Sequence, residues 1–189
     1  MSRVPVLAID KVTFYDNSSA FWDEYIAHRL GLMPVITPDK TPESAEIVFT
    51  LDAQGPKVVY ASEMTSSDKE ISLAKGNMVV VTLGPEQRLR LEGKATLSIG
   101  RIHAKYQAGI VSYSEEKGGM KMMVESCYQM EPIEVISRGC DVITSDIDTI
   151  EEALGVPSKK KKPAKAEKLE KSEKSEKAEK EEAPEKKEK

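Results

Sequence analysis

Pro132-Ile133-Glu134-Val135-Ile136-Ser137-Arg138-Gly139-Cys140-Asp141-Val142-Ile143-Thr144-Ser145-Asp146-Ile147-Asp148-Thr149-Ile150-Glu151-Glu152-Ala153-Leu154-Gly155 is the most regular stretch of the chain. Ile133, Ile136, Cys140, Ile143, Ile147, Ile150 and Leu154 follow one another in alternating steps of three and four residues. That spacing keeps a stripe of side chains on one side of a helix. Pro132 falls in the first turn, where its missing N–H costs nothing, and Gly155 with Pro157 forms the stop. The outer positions are mostly acidic or polar, among them Glu134, Asp141, Asp146, Asp148, Glu151 and Glu152. A helix of about three heptads is marginal alone in water, so the seam predicts packing on the body or on another chain. Cys140 sits at a core position of the seam and reads as a small buried hydrophobe rather than a ligand.

Upstream, Val4–Tyr15 reads as a strand with an apolar start and a more alternating end. Val6, Ala8, Val12 and Phe14 fall on one parity; Leu7, Ile9, Lys11 and Thr13 fall on the other. Asp16-Asn17-Ser18-Ser19 offers helix N-caps, and helical spacing runs over residues 20–33 with Asp23 and Glu24 near its positive end. Phe21, Trp22, Tyr25, Ile26, Leu30, Leu32 and Met33 share one half of the wheel. Arg29 lies within that apolar half: either the helix ends before it at the Gly31 stop, or its guanidinium is paired inside a contact surface. Pro34, Pro38 and Pro42 mark an irregular stretch. Strand-like runs follow at Ala45–Leu51, Lys57–Ala61, Met78–Leu83 and Gln87–Ile99, then at Ala108–Tyr113 and Lys121–Cys127 around Lys117-Gly118-Gly119. The pattern predicts an α+β fold.

Charge divides the chain. Residues 158–189 hold 13 Lys and 9 Glu, leaving the rest at −8 within a total of −4. An acidic body grips phosphates poorly by itself and points to protein partners instead. The tail 157–189, rich in Lys and Glu, buries too little apolar surface to offset its ordering entropy and reads as disordered. No apolar run approaches the roughly 18 residues of a membrane span, and the N-terminus has no signal-peptide pattern. Cys127 and Cys140 are too few for a disulfide framework or a four-thiolate site. A cytoplasmic location is the default.

No catalytic constellation stands out, and no metal site. His28 follows Glu24 at i,i+4 on the polar side of the first helix, which reads as a solvated pair. His103 lies in the basic cluster Gly100-Arg101-Ile102-His103-Ala104-Lys105-Tyr106-Gln107. A protein-contact loop fits that cluster better than an anion site, which stays open.

Two stretches say more. Ser18-Ser19-Ala20-Phe21-Trp22-Asp23-Glu24-Tyr25-Ile26-Ala27-His28-Arg29-Leu30-Gly31-Leu32-Met33-Pro34 closely resembles the signature S-x-x-x-D-E-x-I-A-H-R-L-G-L-x-P of the alpha-like subunits of archaeal and eukaryotic RNA polymerases. Val4-Pro5-Val6-Leu7-Ala8-Ile9-Asp10-Lys11-Val12 is similar to the family's V-P-x-L-A-I-D-x-V strand, and His103-Ala104-Lys105-Tyr106-Gln107 to its H-A-K-x-Q loop, with Ala108 in place of the usual proline. Val124-Glu125-Ser126, then Pro132 and the long helix, resemble its closing strand and dimerisation helix. The likeness covers residues 1–155.

The resemblance, nearest to the archaeal members of that family, implies a dimerisation domain with a mostly-β domain inserted into it. Residues 1–118, with helix 20–33, would be the inserted domain. Residues 119–156, a strand plus the long helix, would be the returning half of the dimerisation domain. It implies a non-catalytic assembly role: pairing with subunit L through the seam Ile133–Leu154, recruiting subunits N and P, and docking on the second-largest chain of the enzyme. Contact with DNA would come only through the complex, a nucleotidyltransferase whose chemistry lies in another chain. Asp23, Glu24, His28, Arg29, His103 and Lys105 become the signature contact residues.

Two departures stand beside this. The chain passes from Ser114 through Gly118-Gly119 to Met120 without the cysteine-rich insertion of some family members, so no cofactor and no iron–sulfur cluster are expected. The family also places a strand and a helix, ending in an N-A-L-R-R-like motif, ahead of the position of Met1. The expectation is that Met1 is internal to a longer chain or that this half is encoded separately. The rival reading is a free-standing protein-binding module whose charged tail contacts nucleic acid. An independent enzyme has no supporting residues.

Overall fold

A strand of 13 residues, β1 (Pro5–Asn17), organises the fold. The computed structural model describes residues 1–39, 41–42 and 44–155. After β1 come α1 (Asp23–Gly31), β2 (Glu46–Gln54), β3 (Lys57–Tyr60), β4 (Thr65–Ser66), β5 (Val79–Leu83), β6 (Arg88–Ile99), β7 (Gly109–Glu116), β8 (Gly119–Ser126) and α2 (Pro132–Ala153). Short 3-10 turns occupy Ala61–Glu63 and Ala104–Tyr106. The architecture is α+β. The chain divides into two compact units, Met1–Ser145 and Asp146–Lys189. The tail 157–189, expected to be disordered, lies outside the described residues.

The antiparallel sheet runs β1-β6-β2-β4, with β3-β5 and β7-β8 as separate two-stranded ribbons. β6 is central because it is long and cleanly alternating: Leu89, Leu91, Gly93 and Ala95 are buried and Arg88, Arg90 and Lys94 exposed. Leu91 pairs with Phe14 on one side and Leu51 on the other. A Cβ at Gly93 would meet Ile9 Cγ2 at 3.2 Å, so the glycine there makes room for Ile9 against the strand.

The parity read for β1 holds only in halves. The pairing with β6 shifts register between Ile9 and Lys11, and one extra residue exchanges the faces of everything beyond it. Leu7 and Ile9 therefore enter the main core before the shift, and Val12 and Phe14 pack on that same core after it. Val6 and Ala8 share a parity with Val12 in the sequence, yet they point into a second core with Val4, Tyr106, Ala108, Met130 and Val135. The first half of β1 is buried on both faces, which is why it reads as an unbroken apolar run.

α1 covers the main core with Ile26 and Leu30. It is shorter than the predicted 20–33. Trp22 occupies the N-cap position without a side-chain cap, and the polar run before it closes a turn instead. Asn17 Oδ1 accepts from the Ser19 N–H at 3.1 Å, and Asn17 Nδ2 donates to the Phe21 carbonyl and to Asp23 Oδ1. Phe21, Trp22, Tyr25 and Leu32, which share that half of the wheel, are exposed. One turn of sheet-facing contact is all that nine helical residues provide.

The irregular stretch after α1 contributes a buried hydroxyl. Thr37 Oγ1 accepts from the Leu7 N–H at 3.0 Å and donates to the Val35 carbonyl at 3.2 Å. Among the described residues, no helix is long and apolar enough to cross a membrane.

Truncating Phe49, 1% exposed in the main core, should cost about 3–5 kcal/mol. Urea unfolding of Phe49→Ala measures this, and a loss below about 1 kcal/mol would contradict the packing described.

Candidate partner-docking surface

α2 rests on the body through a line that is not the predicted seam. Val135 is fully buried in the second core, Val142 is half-buried, and a Cβ at Gly139 would touch the Met1 side chain at 3.2 Å. Arg138 fixes the helix from the same side. Its Nη2 donates to the Thr37 carbonyl at 2.9 Å, and its Nε donates to Asp39 Oδ1 at 3.0 Å. At about 100° per residue, the seam lies roughly a quarter-turn or more away from this line.

The seam is consequently uncovered. Ile143 is 59% exposed, Ile147 50% and Ile150 58%, and Ile133 and Leu154 are more open still. Cys140, expected as a buried hydrophobe, is exposed. Ile136 is half-buried. Ile136, Cys140 and Ile143 form one wall of an apolar groove of about 480 Å³ whose other walls include Met1, Val111 and Met122. Beside it the β7–β8 hairpin shows Ile110, Tyr113, Met120, Met122 and Met123 to solvent. Monomers rarely expose so many large apolar side chains together without a partner.

The signature residues serve mostly within the fold. Asp23 accepts from Asn17 Nδ2 at 2.6 Å and begins α1. Glu24 and His28 are both exposed, and no ion pair joins them among the described residues. Arg29 stays within the helix, and its Nη1 reaches the Val80 carbonyl at 3.5 Å. The helix therefore does not end before it, and the half-buried guanidinium meets a backbone oxygen of β5. His103 caps the 3-10 turn, its Nδ1 accepting from the Lys105 N–H at 3.1 Å.

Lys105 reaches furthest. Its Nζ donates to Asp10 Oδ1 at 2.7 Å and to the Ile9 carbonyl at 3.2 Å, and Tyr106 OH donates to Asp10 Oδ1 at 3.3 Å. Asp10 and Ile9 stand at the register shift of β1. The ammonium thus ties down a carbonyl at the point where the ladder is interrupted, and it is not free for an external anion. The Lys105 hydrogen bond is the largest influence on Asp10 and holds its carboxyl below the ordinary value of 3.8, against a partial desolvation that would raise it. Thr37, Arg138 and the buried Gln129, whose main-chain carbonyl accepts from the Thr37 N–H at 2.9 Å, were not singled out by sequence. Each is one polar residue in an irregular or amphipathic stretch, with no periodic signal. Among the described residues no cluster of three or more His, Cys, Asp or Glu side chains suits a metal ion.

Comparison with known proteins now adds to this geometry. Residues 12–129 match the family described as the RNA polymerase Rpb3/RpoA insert domain. A relative named DNA-directed RNA polymerase subunit Rpo3 from Methanocaldococcus jannaschii is 35% identical over 155 residues, 82% of this chain and 80% of the relative. Its namesake in Halobacterium salinarum is 40% identical over 107 residues, 57% of this chain and 43% of the relative. That of Thermococcus kodakarensis is 38% identical over 120 residues, 60% of this chain and 46% of the relative. The match spans less than half the length of the latter two.

Because its carboxyl is held low, Asp10 contributes stability that is present above its ordinary value and is lost as pH falls through the lowered one. Lys105→Met should return the Asp10 titration, followed by carboxyl chemical shift, toward 3.8. An unmoved titration would show that the lysine is not what holds it.

Proposed function

The chain belongs to the family of alpha-like RNA polymerase subunits that carry the Rpb3/RpoA insert domain, and from that premise we propose that it is the D subunit of an archaeal DNA-directed RNA polymerase. In this reading it assembles the enzyme and performs none of the chemistry. The single observation that carries the proposal is the uncovered seam on α2, with Ile143, Ile147 and Ile150 half or more exposed at a/d spacing. A stripe of that kind is half of a helix–helix interface. Its complement is the equivalent helix of a smaller alpha-like partner, subunit L.

Residues 1–118 then act as the inserted domain, and 119–156 as the returning half of the dimerisation domain. Exposed loops and the aromatic end of α1, where Trp22 is 82% exposed and Phe21 stacks on Tyr25 at 5.1 Å, dock subunits N and P and the second-largest subunit. Aromatic side chains of this kind carry much of the energy of protein interfaces. DNA is met only through the assembled enzyme, and the location is the cytoplasm. The reading calls on no cofactor, since two cysteines, Cys127 half-buried and Cys140 exposed, are fewer than the four thiolates of an iron–sulfur cluster.

Replacing Ile143 and Ile147 together by Asp should weaken binding to subunit L at least about a hundredfold, since each carboxylate would be buried without a partner. The isolated chain should keep its stability within about 0.5 kcal/mol, because both positions face solvent in it. Co-expression followed by affinity capture reads the first quantity and urea unfolding the second. Undiminished capture of subunit L by the double variant would overturn the reading.

A further inference from the structure

The later turns of α2 carry charge of the sign that a lone helix tolerates least there. Between Gly139 and Gly155 the acidic residues are Asp141, Asp146, Asp148, Glu151 and Glu152, and there is no Lys or Arg. The partial negative charge of a helix C-terminus favours cations and opposes carboxylates, yet the last turn has no basic residue. Asp148 also stands three residues before Glu151 and four before Glu152, the spacings at which like charges on a helix repel. Asp141, Asp148, Glu151 and Glu152 enter no ion pair among the described residues. Each of these costs is small, but all have one sign, and a cation brought to this flank relieves them together.

The seam decides what kind of body brings it. Ile147, Ile150 and Leu154 are half or more exposed, and Glu151 follows Ile150 at the position that flanks an a/d stripe. Asp148 lies behind Glu151 on the same flank, and Asp141 precedes Asp148 by one heptad. Whatever covers the apolar stripe therefore passes beside these carboxylates. A second copy of this chain would set the same acidic flank against itself, which like-charge repulsion disfavours. Residues 158–189 are rich in lysine, but Leu169 is the one strongly apolar residue among them, too little to cover the stripe. We propose that the helix covering the seam belongs to a different chain and carries Lys or Arg along the flank of its own apolar stripe, aligned with Glu151, Asp148 and Asp141. The inference rests on the seam being half of a helix–helix interface and adds the charge of the other half.

The test is fluorescence anisotropy of the full chain with two fluorescein-labelled synthetic helices of 22 residues, the length of α2. Both carry Leu at the a and d positions; one has Lys at the flanking e and g positions and the other has Glu. The Lys helix should bind at least about tenfold more tightly at low salt, and the preference should shrink in about 1 M salt, where charges are screened beyond about 3 Å. Asp141→Asn/Asp148→Asn/Glu151→Gln should cut the preference to within about twofold. Glu46→Gln/Glu70→Gln/Glu86→Gln, which removes the same charge from exposed positions away from α2, should leave it intact. Ile143→Asp/Ile147→Asp should abolish binding of both helices. Equal affinities of the two helices for the parent chain, both lost in Ile143→Asp/Ile147→Asp, would overturn the charge inference and leave the seam standing. A preference that both triple variants change alike would overturn it too, since net charge alone would then explain the binding. Binding of neither helix, or dimerisation of the chain in sedimentation that Ile143→Asp/Ile147→Asp abolishes, would overturn the inference together with the reading beneath it.

Discussion

One extra residue in β1, held by Lys105, sets the arrangement of both cores. Without the shift between Ile9 and Lys11 the strand would keep one parity as far as Phe14, and Val12 and Phe14 would follow Val6 and Ala8 away from the main core. A bulge leaves backbone groups without ladder partners. Lys105 Nζ supplies the donor to the Ile9 carbonyl and is itself neutralised by Asp10. Tyr106, the next residue, fills the second core and bonds the same carboxylate. Strand and loop are more than 90 residues apart in sequence yet act as one device, so a strand motif and a loop motif that resemble one family belong together physically.

That device bears directly on the docking surface. The second core it creates is what Val135 enters, and Thr37, bonded to the Leu7 N–H, receives Arg138. Those contacts fix the rotation of α2 about its own axis. With Val135, Arg138, Gly139 and Val142 committed to the body, the stripe of Ile136, Cys140 and Ile143 faces elsewhere. Burying an isoleucine side chain is worth about 1.5–3 kcal/mol, so five largely exposed apolar positions along one stripe are a substantial reserve of association energy. A helix of this length is marginal in isolation, which makes the buried line and the open seam complementary halves of one design.

Much of this was legible in the sequence, and the limits have physical causes. The clean alternation of β6 and the a/d spacing of α2 are periodic signals, and both elements stand within a residue or two of where they were placed. The wheel of α1 groups Phe21, Trp22, Tyr25 and Leu32 with Ile26 and Leu30, but a wheel shows which side chains share a face, not whether anything covers it. The same ambiguity left the seam's partner open. The parity of β1 failed at its centre because a bulge has no compositional mark when neither residue beside it is glycine. Thr37, Gln129 and Arg138 escaped because a single hydroxyl, amide or guanidinium carries no period. Their roles depend on segments brought together by the fold.

The stretch that resembles the family signature most closely is therefore not a simple map of its contact residues. Within Ser19–Pro34, Ile26 and Leu30 pack the core, Asp23 closes the turn from Asn17, and Arg29 reaches the Val80 carbonyl. These are internal constraints, and they would hold a sequence constant whatever bound to it. Phe21, Trp22, Tyr25 and Leu32 are interleaved with them and face outward, where burial within this chain imposes nothing. A helix of nine residues has two faces. The inward one sets the position of the outward one to within the play of a packed core, so a motif that looks like a recognition code is in part the mounting on which recognition residues are carried.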